Sequence, residues 1–312
     1  MKNSLWTEAY RPTTLDGYVF SDSTQKTQIE QWIKNQDVPN ILFSGSPGTG
    51  KTTISKILCN ELQIDPYDVL FINASRENSV DDMRNKITLF VSTIPYGIMR
   101  IVILDEADYL SINAQSILRG LMEQFSTSRF FLTCNYPNRV IPAIHSRCQT
   151  IAINKLQLDE FTVRMAEILV TENIEFELDV LDDYVRGCWP DLRKTINICQ
   201  QNSINGKLCR PDSSNNSNSR DYRIDAIELF KTGKIREARA LICSQIRPED
   251  LEEFFVWLYN NIDLFGSNNN QKDSAILIIR RGMVQIPVAC DAEILVAAIL
   301  IELSQINKEE KE

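Results

Sequence analysis

Eight consecutive residues constrain this chain more than any other stretch: Gly45-Ser46-Pro47-Gly48-Thr49-Gly50-Lys51-Thr52. They fit the pattern GxxxxGK[ST] without a mismatch. The apolar run Pro39–Ser44 before them reads as a buried strand of a parallel sheet. Ile54, Ile57, Leu58 and Leu62 after them recur at helical spacing, so the loop opens a helix over 51–62. That context makes the motif a phosphate cradle. Glycines let backbone N–H groups turn inward around phosphate oxygens, and the helix adds the positive end of its dipole. Gly45, Pro47, Gly48, Thr49, Gly50 and Thr53 are expected to line the site. Lys51 is expected to reach the β- and γ-phosphates, and the Thr52 hydroxyl to ligate Mg²⁺.

Further strands are read at 69–72, 101–104, 129–134 and 149–153, and helices at 80–91 and 114–125. The alternation predicts a doubly wound α/β domain with a parallel sheet, ending near residue 153. The run Ile101–Leu104 ends in Asp105-Glu106-Ala107-Asp108, which places carboxylates at the C-terminal edge of the sheet, where ligands bind. Asp105 is read as the Mg²⁺ partner and Glu106 as the general base for an attacking water. Asp108 is read as a helix N-cap or a solvated acid rather than a metal ligand.

Beyond 153 the periodicity turns helical, at 159–171, 179–188 and, after Pro190, 191–201. A helical module over 154–205 is expected, then a polar linker over 206–220, then a second helical module over 221–312. The apolar segments 251–259 and 294–303 of that last module would suit either its own core or contact with another chain.

Composition narrows the chemistry. The net charge of −9 argues against a free-standing DNA-binding protein with a basic footprint, though not against a small local patch. The only histidine is His145, which excludes a histidine-built metal site. The eight cysteines form no CxxC pair and read as reduced, mostly buried thiols. No apolar run approaches the ~20 residues of a membrane span, and the first residues lack a signal-peptide pattern, so a cytoplasmic protein is expected.

Longer matches then become specific. Asp105–Asp108, Asn113–Glu123, Arg129–Tyr136 and Ile144-His145-Ser146-Arg147-Cys148, with Glu8-Ala9-Tyr10-Arg11-Pro12 and Asn73-Ala74-Ser75 upstream, closely resemble AAA+ clamp-loader ATPases. These are the replication factor C small subunits and the large subunit of T-even-type phage clamp loaders. The resemblance covers roughly residues 6–200. Residues 221–312 match cellular replication factor C less well, which favours the phage-encoded kind. It implies a P-loop domain, a helical lid and a helical collar, in a hetero-oligomer of identical copies plus a small subunit, with ATP, Mg²⁺, a sliding clamp and primer-template DNA as ligands and partners.

The resemblance also assigns residues. Thr7, Glu8, Ala9, Tyr10 and Val19 would line the adenine pocket, and Asn135 stands at the sensor position after the fourth strand. Arg147 stands at the arginine-finger position and would serve a neighbouring subunit's ATP. Arg193, within Pro190–Lys194, resembles the second sensor reaching over the phosphates from the lid. Gln115 matches a position that couples DNA binding to the catalytic carboxylate. Arg84 would face the DNA backbone. Leu89, Phe90 and Ile94 resemble the apolar ridge that touches the clamp, and would equally fit a core. At Asn78 the chain departs from the family, which usually has a DNA-sensing basic residue there; Arg76 is the basic residue nearby. Two other readings stay open: a different AAA+ motor acting on DNA, with Tyr96 and Gly97 as a pore loop, and an ATP-binding scaffold that hydrolyses nothing.

Overall fold

The computed structural model describes residues 5–76, 80–210, 222–266 and 268–306. The chain divides into two compact units, residues 1–157 and 158–312.

In the first unit, α1 (Trp6–Ala9) and α2 (Ser23–Asn35) precede a repeating alternation. It runs β1 (Ile41–Ser44), α3 (Lys51–Glu61), β2 (Val69–Asn73), α4 (Val80–Val91), β3 (Arg100–Asp105), α5 (Ile112–Gln124), β4 (Ser128–Cys134), α6 (Pro142–His145) and β5 (Gln149–Ala152). The five strands form one parallel sheet in the order β2-β3-β4-β1-β5. Period-2 geometry explains why both faces are covered. Leu42, Val102, Leu104, Phe130 and Leu132 point to one face, where they pack with Met83, Ile87, Leu118 and Leu121 of α4 and α5. Ile41, Phe43, Ile101, Ile103 and Phe131 point to the other, against Ile29 of α2 and Ile54, Ile57 and Leu58 of α3. A register slip by one residue would exchange the two faces, so burial on both sides pins the pairing. Helix α2 was not read from the sequence. Asp22 caps it, accepting from the Thr24 amide at 2.8 Å, and only Ile29 is fully buried, which leaves a weak apolar stripe.

The second unit contains α7 (Leu158–Thr171), α8 (Leu178–Cys188), α9 (Leu192–Gln201), a small hairpin of β6 (Ser203–Ile204) and β7 (Lys207–Leu208), and then α10 (Tyr222–Lys231), α11 (Ile235–Gln245), α12 (Leu251–Asn260), α13 (Asn269–Gln285) and α14 (Ala292–Ile306). The expected linker at 206–220 is corrected at its start. Asn205-Gly206 forms the hairpin turn, both residues with positive φ, and Leu208 is buried. Residues 211–221 lie outside the described residues. Helices α8, α10 and α12 pack in the same unit for identifiable reasons. Lys231 bridges Asp182 and Asp183 at 2.6 and 2.7 Å. Trp257 Nε1 and Asn261 Nδ2 both donate to the Arg186 carbonyl. The apolar segments of α12 and α14 are mainly this unit's own core: Phe254, Phe255, Trp257, Leu258, Ile299 and Leu303 are buried, while Tyr259 and Ile294 face outward.

Among the described residues no helix is long and apolar enough to cross a membrane. Cys59, Cys134, Cys188 and Cys199 are buried, Cys148, Cys209 and Cys243 half-buried, and Cys290 exposed. Burial pushes the Cys59 and Cys199 thiols up to about 12, which suppresses the reactive thiolate. Maleimide labelling of the native protein at pH 7.5 is therefore expected to modify Cys290 first. Cys59 and Cys199 should label only in denaturant, as peptide mass mapping would read out.

Candidate nucleotide site

Three parallel strands, β1, β3 and β4, end together, and the site is built on that shared edge. Ser44 pairs with Cys134, and Leu104 with Leu132, so the chain leaves all three strands at one level. Gly45 donates its amide to the Cys134 carbonyl at 3.2 Å and the loop turns back over the edge. The turn requires glycine at two places. At Gly45 a Cβ would stand 2.3 Å from the Ile153 carbonyl oxygen. At Gly50, φ is 94° and a Cβ would touch the ring of Tyr18. Tyr18 also donates its hydroxyl to the Thr49 carbonyl at 3.4 Å. Sequence reasoning missed Tyr18, because its partner lies 31 residues away. The Thr49 hydroxyl closes the turn onto the Ser46 carbonyl at 2.8 Å.

Lys51 is buried and donates from Nζ to the Gly45 and Ser46 carbonyls at 2.9 and 2.7 Å, so its charge lies inside the loop. Thr52 donates its hydroxyl to Asp105 Oδ1 at 2.7 Å, and Thr133 donates to the same oxygen at 2.7 Å. The Thr133 oxygen in turn accepts the Glu106 amide at 3.0 Å. One chain of hydrogen bonds thus joins the P-loop helix, the acidic turn and the end of β4. Thr133 was not assigned a role from the sequence, though it lies inside a family-like run.

The Thr52 hydroxyl and the Asp105 carboxylate are hard oxygen donors held side by side. This pair suits Mg²⁺, which takes one or two protein ligands and fills its octahedron with phosphate oxygens and water. Among the described residues no group of three or more His, Cys, Asp or Glu could hold a metal ion alone.

Glu106 adopts the left-handed conformation, φ 58° and ψ 44°, an arrangement that costs a non-glycine residue about 1–3 kcal/mol. It persists because the Glu106 amide is held by Thr133 and its carbonyl accepts the Tyr109 amide at 3.0 Å. The reading of Asp108 needs correction. It is neither an N-cap nor solvated, because Ser111 caps α5 and Asp108 is buried. Its Oδ2 accepts the amides of Asn135 and Tyr136 at 3.2 and 3.1 Å and so fixes where Asn135 leaves β4. Gln115 is buried as well. It donates to the Leu110 and Arg139 carbonyls and accepts the Ile141 amide at 2.8 Å, tying the acidic turn to the loop after β4.

The remaining assigned residues fall elsewhere. Thr7–Ala9 lie on α1 and Tyr10 caps it, Thr7 and Tyr10 half-buried; Val19 is 36% exposed. Arg76 and Arg84 are exposed, the latter on α4, and Asn78 lies outside the described residues. Leu89 and Ile94 are exposed, so they are not core, whereas Phe90 is half-buried and packs against the core. Arg193 is exposed in the first turn of α9, in the second unit.

Arg147 stands at the far edge of the sheet from the P-loop. It precedes β5, whose first residue Gln149 pairs with Ile41 at the start of β1, while the P-loop follows Ser44 at its end. The two edges are ~10 Å apart along the strands. The guanidinium pairs with Glu123 and donates to the Ala143 carbonyl at 2.8 Å.

Residues 41–156 match the family model for the ATPase family associated with various cellular activities (AAA). The chain is 35% identical over 248 residues to the replication factor C small subunit of Picrophilus torridus, covering 77% of each chain. It is 37% identical over 251 residues to that of Aeropyrum pernix, covering 78% of this chain and 73% of the relative. It is 38% identical over 212 residues to that of Sulfurisphaera tokodaii, covering 65% of this chain and 64% of the relative. The longer alignments extend beyond the span of 6–200 read from motifs. Among solved structures, the Thermotoga maritima RuvB Holliday junction branch migration motor superposes with a TM-score of 0.51 at 16% identity, covering 62% of this chain and 64% of that one, a likeness of fold alone.

Replacing Thr133 by valine keeps its shape and removes the hydroxyl that links Asp105 to the Glu106 amide. Asp105 keeps the Thr52 hydroxyl, so the Glu106 amide is the group left without its partner, at a cost of about 1–3 kcal/mol, or roughly 5- to 150-fold in turnover if it falls on the transition state. Thr133→Val is expected to lower the steady-state rate of nucleotide hydrolysis by that amount while nucleotide affinity, read by a fluorescent analogue, stays within about threefold.

Proposed function

The chain belongs to the replication factor C small-subunit family of AAA ATPases, and from that membership and the site we propose that it is one ATPase subunit of a DNA sliding-clamp loader. Its work would be to bind ATP between subunits, to open a ring-shaped clamp, and to release it closed on primer-template DNA. The observation that carries the reading is the placement of Arg147 on the edge of the sheet remote from its own P-loop. A finger so placed serves a neighbouring copy, which makes hydrolysis a property of the assembly.

The chemistry follows from the chain's own groups. Loop amides and Lys51 would hold the β- and γ-phosphates. Thr52 and Asp105 would hold Mg²⁺, which when bound neutralises charge on the phosphate oxygens. Glu106 would accept a proton from the attacking water, and the Asn135 amide would orient that water. Arg147 of one copy would meet the charge developing on the γ-phosphate in the next, a contribution worth ~10³–10⁵ in rate for such fingers. Thr7–Tyr10 and Val19 would line the adenine side, and Arg193 would reach the phosphates from the lid. Arg76 and Arg84 would meet the DNA backbone, and an acidic chain can do this if several subunits each add a few phosphate contacts. Leu89 and Ile94, both exposed, would touch the clamp. The helices over 222–306 would form the collar that holds identical copies and a small subunit together.

The test is ATP turnover of the assembled protein with and without primer-template DNA and clamp. Turnover is expected to rise synergistically with both. Stimulation by DNA alone, indifferent to the clamp, would instead favour a DNA-remodelling motor, and no turnover under any condition would favour a scaffold. In the same assay Arg147→Ala is expected to remove the stimulated rate while each copy still binds nucleotide. Normal stimulated turnover in that variant would sink the finger assignment.

A further inference from the structure

Arg147 is fixed within its own chain at both its backbone and its guanidinium. The Arg147 amide donates to the Ile144 carbonyl at 2.9 Å. Asn40 Nδ2 donates to the Arg147 carbonyl at 3.5 Å, and Asn40 Oδ1 accepts the Phe130 amide at 2.9 Å, so one side chain ties the root of Arg147 to β4. Two residues on, the Gln149 amide donates to the Asn40 carbonyl at 2.7 Å.

At the other end of the side chain, Nη1 donates to the Ala143 carbonyl at 2.8 Å and to the Ser146 hydroxyl at 3.1 Å, and Nη2 donates to the Glu123 carboxylate. Glu123 stands in the last turn of α5, and Ala143 and Ser146 belong to α6 and its C-cap. Ile144 of α6 is buried in the same cluster as Leu118, Leu121 and Met122 of α5, which keeps the acid and the arginine in a fixed relation.

The Arg147 side chain is 33% exposed and that of Glu123 50%, so the pair meets solvent and adds little to folding stability. Its effect is on the arginine's freedom. A long side chain left loose loses rotamers when it meets a phosphate; one already held by its own chain does not. Nor are its donors exhausted. A guanidinium carries five N–H groups, and among the described residues Nε has no acceptor. That N–H and the second hydrogen of Nη2 remain for an incoming anion. A contact that hid the arginine would spend those donors too.

We propose that Glu123 is a positioning residue for the arginine finger: it sets the direction in which Arg147 enters the nucleotide site of the neighbouring copy, while Asn40 and Ser146 hold the finger's root. This rests on the finger role proposed above. Glu123 touches no reacting atom; it acts through Arg147.

The experiment is ATP turnover of the assembled protein at saturating primer-template DNA and clamp, with nucleotide affinity read by a fluorescent analogue. Glu123→Ala is expected to lower maximal turnover about tenfold, because a finger that must find its direction is misplaced for part of the time. Nucleotide affinity and the ATP concentration for half-maximal turnover should stay within about twofold, the pattern of an interaction made only in the transition state. Glu123→Gln keeps an oxygen acceptor in the same place and is expected to restore turnover to within about threefold of the parent. In a chain that already carries Arg147→Ala, adding Glu123→Ala is expected to leave the residual turnover within about twofold, since the two side chains act as one unit. If Glu123→Ala does not assemble, Glu123→Asp, which withdraws the carboxylate by one methylene, decides in its place, with a loss greater than threefold expected. Parent-like turnover in Glu123→Ala alongside an inactive Arg147→Ala overturns this inference and leaves the finger role standing. Faster turnover in Glu123→Ala overturns it as well, by making the carboxylate a restraint on the finger. Normal stimulated turnover in Arg147→Ala removes the finger role, and this inference with it.

Discussion

The site depends on the parallel register of β1, β3 and β4. Their central residues are buried on both faces, so each strand can pair in only one way without turning apolar side chains toward the wrong helical layer. That register brings Ser44, Asp105 and Cys134 to a common edge, and the P-loop, the acidic turn and the position of Asn135 follow from it. Thr52, Thr133 and the Glu106 amide then close a hydrogen-bond chain around Asp105 that no single segment could form.

Apolar burial sets the sheet, and buried polar side chains set the loops at its two edges. Asp108 holds the Asn135–Tyr136 backbone, Gln115 holds Leu110, Arg139 and Ile141, and Asp68 with Arg100 holds residues 90–97. Each of these side chains binds backbone atoms, which makes its loop insensitive to what the loop's own side chains are.

Much of this was legible in the sequence. The glycine loop with its flanking strand and helix, the carboxylates at the end of Ile101–Leu104, and the strands buried on both faces all announce themselves through local pattern. What escaped was long-range or weakly patterned. Tyr18 meets Thr49, and Asp68 meets Arg100, across spans at which spacing carries no information. Asp108 read as a surface acid because its partners lie 27 and 28 residues away. Helix α2 buries too narrow a stripe to show a strong period. The Asn205-Gly206 hairpin could have been found, since that dipeptide is a strong turn signal, but the polar run after it drew the boundary too early.

Arg147 and the P-loop lie at opposite ends of the strands of one sheet, so under the proposed finger role each chain would carry two halves of a catalytic centre rather than one whole. Contacts of this head-to-tail kind join unlike surfaces and do not close by symmetry alone. On that proposal, in a row of such chains that remained open, one terminal chain would have a phosphate cradle without a finger and the other a finger without a substrate. The number of complete centres would then be one fewer than the number of chains.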